Sequence, residues 1–201
     1  MLEETPAAHV QTLGLRAVGP EDEAFLLRVY ASTRMDEMAM VPWTEEQRAV
    51  FVKMQFDAQL HHYQNHFPTA THEIIELAGQ SAGRLYVLRT DEFIRILDIT
   101  LLPEFRAAGA GTRLIHELMS EAAATRRPLR INVESFNPSL RLFERLGFRK
   151  AEENGIHFLM EWNSSSNDDR DNSSNHDSSS DHDSSGGPDN SDGGHSSDGA
   201  R

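Results

Sequence analysis

The chain reads as an α/β protein, α+β by a stricter definition, with a mixed, mostly antiparallel central sheet and helices on both of its faces. Three observations predict this. Strand-like runs at residues 73–77, 83–89 and 93–102 follow one another through short turns, as an antiparallel meander does. A glycine-rich segment then opens a helical stripe that leads into a further strand, the crossover that a parallel strand pair requires. Two helical segments precede the meander, and a short one follows the crossover.

The elements follow in order. Residues 12–18 (TLGLRAV) alternate like a short strand. Gly19-Pro20-Glu21-Asp22-Glu23 places Pro and three acids where a first helical turn favours them, and Phe25, Leu26, Val29 and Tyr30 continue at helical spacing. Residues 32–43 read as irregular. Thr44-Glu45-Glu46-Gln47 is a capping box, in which Thr44 and Gln47 satisfy each other's orphan amides. The helix it opens carries Val50, Phe51, Met54 and Ala58 on one side and runs until Pro68 forbids it. The turn at residues 78–81 contains Gly79, which supplies the dihedral a hairpin needs. After residues 106–111 the stripe Leu114, Ile115, Leu118, Met119 and Ala122 marks an amphipathic helix that ends before Pro128. Residues 129–134 (LRINVE) form a strand. Asn137-Pro138-Ser139 starts a short helix with Leu140, Phe143 and Leu146 inward and Gly147 at its C-terminal cap, and residues 158–162 close the sheet.

Composition bounds the chemistry. The 201 residues include no Cys, which removes disulfides, thiolate metal sites and thiol nucleophiles together. The formal net charge of -13 is unevenly spread. Residues 164–201 hold nine Asp and two Arg among Ser, Asn, Gly and His, a composition that cannot offset the entropy of ordering. We therefore expect a flexible N-terminus at 1–11, one domain at 12–163 and a disordered tail at 164–201. An acidic chain lacks the clustered Lys and Arg of a nucleic-acid surface, so no nucleic-acid partner is expected. No stretch approaches the ~18 to 20 apolar residues of a membrane span, and the acidic start lacks the features of a secretory signal, so no membrane association and a cytoplasmic location are expected. His62 and His66 stand four apart with Asp57 a turn earlier, but no third ligand is positioned. Asn175-His176-Asp177 and Asp181-His182-Asp183 lie in a tail with no fixed geometry. No metal is expected.

The segment from Leu101 to Ile115 admits three glycine-loop readings. A dinucleotide fingerprint needs a small residue where Leu114 stands, and a P-loop needs Gly-Lys-Ser/Thr where Gly111-Thr112-Arg113 stands. The third is a loop in which Gly109 and Gly111 let the backbone approach a ligand closely, its amides at the positive end of a helix dipole, a nest suited to a pyrophosphate.

Arg106-Ala107-Ala108-Gly109-Ala110-Gly111 resembles motif A of the GNAT (GCN5-related) N-acetyltransferases, and Asn137-Pro138-Ser139 through Gly147-Phe148 is similar to that family's second landmark, an Asn-containing helix ending in Gly-Phe. The element order is also that of the family. The resemblance covers roughly residues 12–162 and implies a GNAT-like fold with acetyl-CoA as co-substrate. Its pyrophosphate would lie on the backbone of Arg106, Ala107, Ala108, Gly109, Ala110, Gly111 and Thr112, its pantetheine arm along the backbone of Ile99 and Leu101, and the side chain of Asn137 would touch that arm. Arg113, Arg141 and Arg145 are candidates for the outer phosphate.

The reaction so implied is attack of a primary amine, of a small molecule or a peptide, on the thioester. It calls for a base, for which Glu134 is the first candidate and Asp98 the second, and for a backbone amide near Leu101 against the developing negative charge. The family's usual acid is a Tyr four residues before Gly-Phe; this chain has Phe143, leaving water, Tyr63, Tyr86 or Ser139 for that task. Phe143 and the acidic tail also favour a different function, a catalytically silent CoA-binding regulatory module. Met35, Met38, Met40 and Trp43 are candidates for lining the acceptor site. The oligomeric state stays open between monomer and homodimer.

Overall fold

A computed structural model describes residues 12–106 and 109–164. Seven strands form one sheet: β1 (Leu13–Ala17), β2 (Thr71–Leu77), β3 (Gln80–Arg89), β4 (Ile94–Leu101), β5 (Leu129–Glu134), β6 (Arg149–Asn154) and β7 (His157–Trp162), in spatial order β1-β2-β3-β4-β5-β7-β6. All neighbours are antiparallel except β4 and β5, which are parallel and joined through the helix α3 (Ala110–Thr125). The other helices are α1 (Glu23–Ala39), α2 (Glu45–His66) and α4 (Leu140–Arg145).

The period of two along each strand divides the core. Ile75, Leu85, Val87, Ile94, Ile96, Leu129, Ile131 and Val133 pack with the full predicted stripe of α3 and with Phe143 of α4. The adjacent Ile74 lies in the opposite layer with Leu26, Tyr30, Val52 and Phe56 of α1 and α2. The mixed sheet with helices on both faces is thus present. Among the described residues no helix is long and apolar enough to cross a membrane.

Local signals hold at several points. Thr44 Oγ1 accepts from Gln47 N at 3.2 Å and Gln47 Oε1 accepts from Thr44 N at 2.9 Å, the expected capping box. The β2–β3 turn is tighter than read: Leu77 pairs with Gln80, and Ala78 and Gly79 carry φ of 50° and 78°, as a two-residue I′ turn demands.

Three expectations are corrected. Residues 32–39 continue α1: nothing before Pro42 breaks the helix, and Ser32 Oγ and Thr33 Oγ1 are accommodated within it by donating back to Val29 O and Tyr30 O, both at 2.7 Å. The inward stripe of α2 is Val52, Phe56 and Leu60, whereas Val50 and Met54 are exposed. The strand β6 was not foreseen, since RKAEEN is exposed along its whole length and has no apolar alternation; Lys and Glu suit an edge. It is joined to β7 by Gly155 (φ 62°) and Ile156, a two-residue hairpin. The expectations for residues 1–11 and for the tail, apart from Ser164, lie outside the described residues.

Candidate active site

The cleft begins where β4 leaves β5. The two strands pair only over Ile94–Leu129, Arg95–Arg130 and Ile96–Ile131 and then diverge. One cause is visible in β4: Tyr86 faces Asp98 while Val87 faces Ile96, so Leu97 is an extra residue that bulges and bends the strand. The resulting cavity, about 1030 Å³, runs from α2 across β4 and β5 to the start of α3 and to α4.

The free edge of β4 has a definite polarity. Leu102 N donates to Ala82 O at 2.9 Å, so positions 102, 100 and 98 exchange hydrogen bonds with β3. By the alternation of an antiparallel ladder, the N–H and C=O groups of Ile99 and Leu101 point the other way, into the cleft. Their side chains meanwhile pack against the α3 core, so each residue is both structural and site-forming. Leu101 O accepts from Arg106 Nε at 2.9 Å and Leu97 O from Tyr63 Oη at 3.3 Å. Both groups of Ile99 and the N–H of Leu101 face the cleft and suit a ligand. Close approach of β3 holds this edge in place: a Cβ on Gly83 would collide with Thr100 O and meet Leu101 Cα at 3.0 Å.

At the other end Gly109 adopts φ 78° and α3 begins at Ala110, with no side chain among the described residues capping it. Gly109, Ala110, Gly111 and Thr112 line the cleft with Arg106. A Cβ on Gly111 would come within 3.8 Å of Leu101 Cδ1, so the helix start and the strand edge are in contact distance of each other. An uncapped helix N-terminus is where an anion binds. Ala107 and Ala108 lie outside the described residues. Asn137 lines the cleft, and its Oδ1 accepts from Ser139 N at 2.9 Å, which fixes the carboxamide. Of the three arginines expected at the outer phosphate, Arg145 lines the cleft.

Both candidate carboxylates reach the cleft, but different groups hold them. Asp98 Oδ2 accepts from Arg84 Nη2 at 2.5 Å and Oδ1 from Thr100 Oγ1 at 2.7 Å; the side chains of Arg84 and Asp98 are only 6% and 12% exposed. Arg84 Nη2 also donates to Gln59 Oε1 at 2.8 Å, tying α2 to the sheet. Glu134, at the end of β5, is 38% exposed; its ion-pair contact is with His157 Nε2 at 3.9 Å, directly across the β5–β7 ladder.

Of the hydroxyl groups considered as acids, Tyr63 lines the cleft, and burial with the nearby Asp98 charge pushes its pKa up to about 12. Tyr86 is buried between the tilted rings of Tyr63 and His72, at centroid distances of 5.0 and 4.4 Å, and burial raises its pKa as well. Ser139 lines the cleft. Phe143 is buried against Phe148, centroids 5.3 Å apart, with one surface on the cleft.

Of the expected acceptor-site residues, Met35 and Met40 are exposed and Met38 packs with the α1–α2 core; with Trp43, none of them lines the cleft. That wall is built instead by Arg34, Gln59, His62, Tyr63 and Phe67, with Arg84 behind it. Arg84 and Tyr86 alternate on β3 opposite Thr100 and Asp98 on β4, a polar pairing inside apolar strands that was available as a signal. Among the described residues no group of three or more His, Asp or Glu side chains is arranged to hold a metal ion.

A family model described as an acetyltransferase (GNAT) domain matches residues 40–161. No curated protein matches the chain. Among solved structures, the chain is similar to a PaiA N-acetyltransferase from Thermoplasma acidophilum in complex with coenzyme A, at 16% identity over 76% of this chain and 99% of that one, with a TM-score of 0.56. It is similar to an acetyltransferase from Thermus thermophilus at 19% identity, covering 77% and 99% of the two chains, with a TM-score of 0.55. A GNAT family acetyltransferase from Elizabethkingia anophelis with acetyl-CoA bound is 16% identical, with coverage of 76% and 97% and a TM-score of 0.50. At these identities the likeness is one of fold.

Proposed function

The chain belongs to the GNAT acetyltransferase family, and on that premise we propose that it transfers an acetyl group from acetyl-CoA to a primary amine of a small molecule or peptide by direct attack. The observation that carries this reading is the parting of β4 from β5 beside an uncapped, glycine-opened helix.

The residues present fit the cofactor. Amides at the start of α3 suit a diphosphate. The outward groups of Ile99 suit an amide-bearing arm that adds to a strand edge, and Asn137 lines the same cleft. A cavity of about 1030 Å³ has room for a long cofactor and an acceptor together. When bound, acetyl-CoA supplies an activated acyl group.

The protein's own groups supply the rest. Leu101 N–H, held by the β3 approach at Gly83, donates to the acyl oxygen as negative charge develops there, and a fixed backbone donor needs no reorganisation. Glu134 takes the proton of the attacking amine, since its oxygens are open to the cleft and to water while both oxygens of Asp98 are engaged. Tyr63 keeps its proton at neutral pH and shapes the β4 bulge through Leu97 O. A thiol of pKa ~8.5 leaves tolerably without a dedicated acid, which is consistent with Phe143 at that position.

Calorimetric titration with CoA, together with thiol release over a panel of amines, tests the proposal. Binding with turnover that Glu134→Gln lowers by about 100-fold or more supports it. Absence of binding heat ends it.

A further inference from the structure

Resting on the acetyl-transfer reading above, we propose that the acceptor is an amino acid or a closely related amino carboxylate, whose carboxylate is held by Arg34 and Gln59 while Glu134 faces its amine.

The argument starts from the donors and acceptors of the cleft. Its two carboxylates among the described residues are Asp98 and Glu134, on opposite strands. Each oxygen of Asp98 is already engaged, by Arg84 or by Thr100, whereas Glu134 is open. On the α1–α2 wall the balance is reversed. Arg34 and Arg84 both lie over the ring of Tyr30, at 5.5 and 5.8 Å, and the Nε of each is buried with no hydrogen-bond partner among the described residues. An orphaned buried N–H is costly, and of the two guanidinium groups that of Arg34, which lines the cleft with its side chain 34% exposed, is the one open to a ligand oxygen.

Arg34 lines the cleft, and its ion pair is an i,i+3 contact with Glu37 at 3.0 Å, the latter side chain 54% exposed. Such a surface pair is worth ~0 to 1 kcal/mol and yields to a better-placed oxygen. Gln59 Oε1 is committed to Arg84, which turns the amide NH₂ of Gln59 into a second donor. One planar guanidinium with one amide donor matches a carboxylate. The cleft thus presents an anion site on one wall and a base on the other, complementary to a molecule carrying both amine and carboxylate. A polyamine, which the acidic charge of the chain suggests, would set a second ammonium against Arg34.

The test uses the full-length protein with acetyl-CoA and acceptors matched at the amine: amino acids, their carboxamides, the decarboxylated amines, a phosphorylated amine and spermidine. The expected result is a preference in kcat/KM for acids over carboxamides of about 10- to 100-fold, that of a charge-assisted hydrogen bond. Arg34→Gln brings that ratio close to one and Arg34→Lys keeps part of it, while CoA affinity in both variants verifies folding. Saturation-transfer NMR of the same amino acids without acetyl-CoA gives a second readout, with signal in the wild type and loss in Arg34→Gln. Normal CoA binding combined with equal use of carboxamides, or preference for spermidine or the phosphorylated amine, overturns this inference and leaves acetyl transfer standing. Absence of CoA binding overturns acetyl transfer, and the NMR experiment then still decides whether Arg34 holds a carboxylate.

Discussion

Asp98→Asn is expected to cost about 3 to 5 kcal/mol, the penalty for leaving a buried cation without its counter-ion. The figure rests on burial: Arg84 is 6% exposed and Asp98 12%, and the 2.5 Å contact between them lies beneath α1 and α2. Asn keeps an oxygen for the Thr100 hydroxyl but turns an NH₂ group toward a guanidinium that already has an unpartnered Nε. For a domain of this size each kcal/mol moves the melting temperature by about 2 to 4 °C, so the variant should melt roughly 6 to 20 °C lower. Urea denaturation followed by tryptophan fluorescence measures it, with the slope against urea unchanged. Adding Arg84→Met should recover part of the loss, because removing both charges is cheaper than stranding one, and the two single variants with the double give the coupling. Stability of Asp98→Asn within about 0.5 kcal/mol of wild type would mean that water already solvates this pair, and Asp98 would return as a candidate base.

Gly83→Ala should destabilise by about 1 to 3 kcal/mol and weaken CoA binding, because the new Cβ must push back Thr100 O and the Leu101 backbone; unchanged calorimetry would remove β4 from the cofactor site. His72 has a pKa lowered to about 4 by burial and by the charge of Arg84, so between pH 6.5 and 4 the unfolded chain binds more protons than the native one. Stability from this group is full above pH 6.5 and is lost as pH falls toward 4. Melting temperatures at pH 7, 5.5 and 4 should therefore drop less in His72→Phe than in wild type, and equal slopes would refute the assignment. Phe143→Tyr should raise turnover up to about tenfold while CoA affinity, by calorimetry, stays within about twofold; a large loss of affinity would place the new hydroxyl in the core instead of the cleft.

What could be read from the chain was local. The capping box at Thr44, the α3 stripe and the spacing of Gly109 and Gly111 each depend on residues within a few turns of one another, and each stands where it was expected. On α2 the sequence offers two apolar stripes, Val50, Phe51 and Met54 or Val52, Phe56 and Leu60; tertiary packing chose the second. The strand β6 owes its existence to pairing with β7 and carries no burial pattern of its own. Arg84 and Asp98 are visible as polar residues within apolar strands, but which residues they face depends on a register that spans the bulge at Leu97.

The two ends of the cleft differ in kind for the same reason. On the proposed reading the groups that face the cofactor are main-chain amides, whose direction is set by a few positions such as Gly83 and Gly109, so most other side chains are free to vary while the geometry survives. The fold itself is shared with structures only 16 to 19% identical. At the end proposed for the acceptor the cleft is lined by side chains, among them Arg34, Gln59, Tyr63, Asp98 and Glu134, contributed by α1, α2, β4 and β5. Changing one of them alters which molecule fits without disturbing the backbone nest. Substitutions at Gly83 should therefore move cofactor affinity and turnover for every acceptor together, whereas substitutions at Arg34 should reorder acceptors at constant CoA affinity.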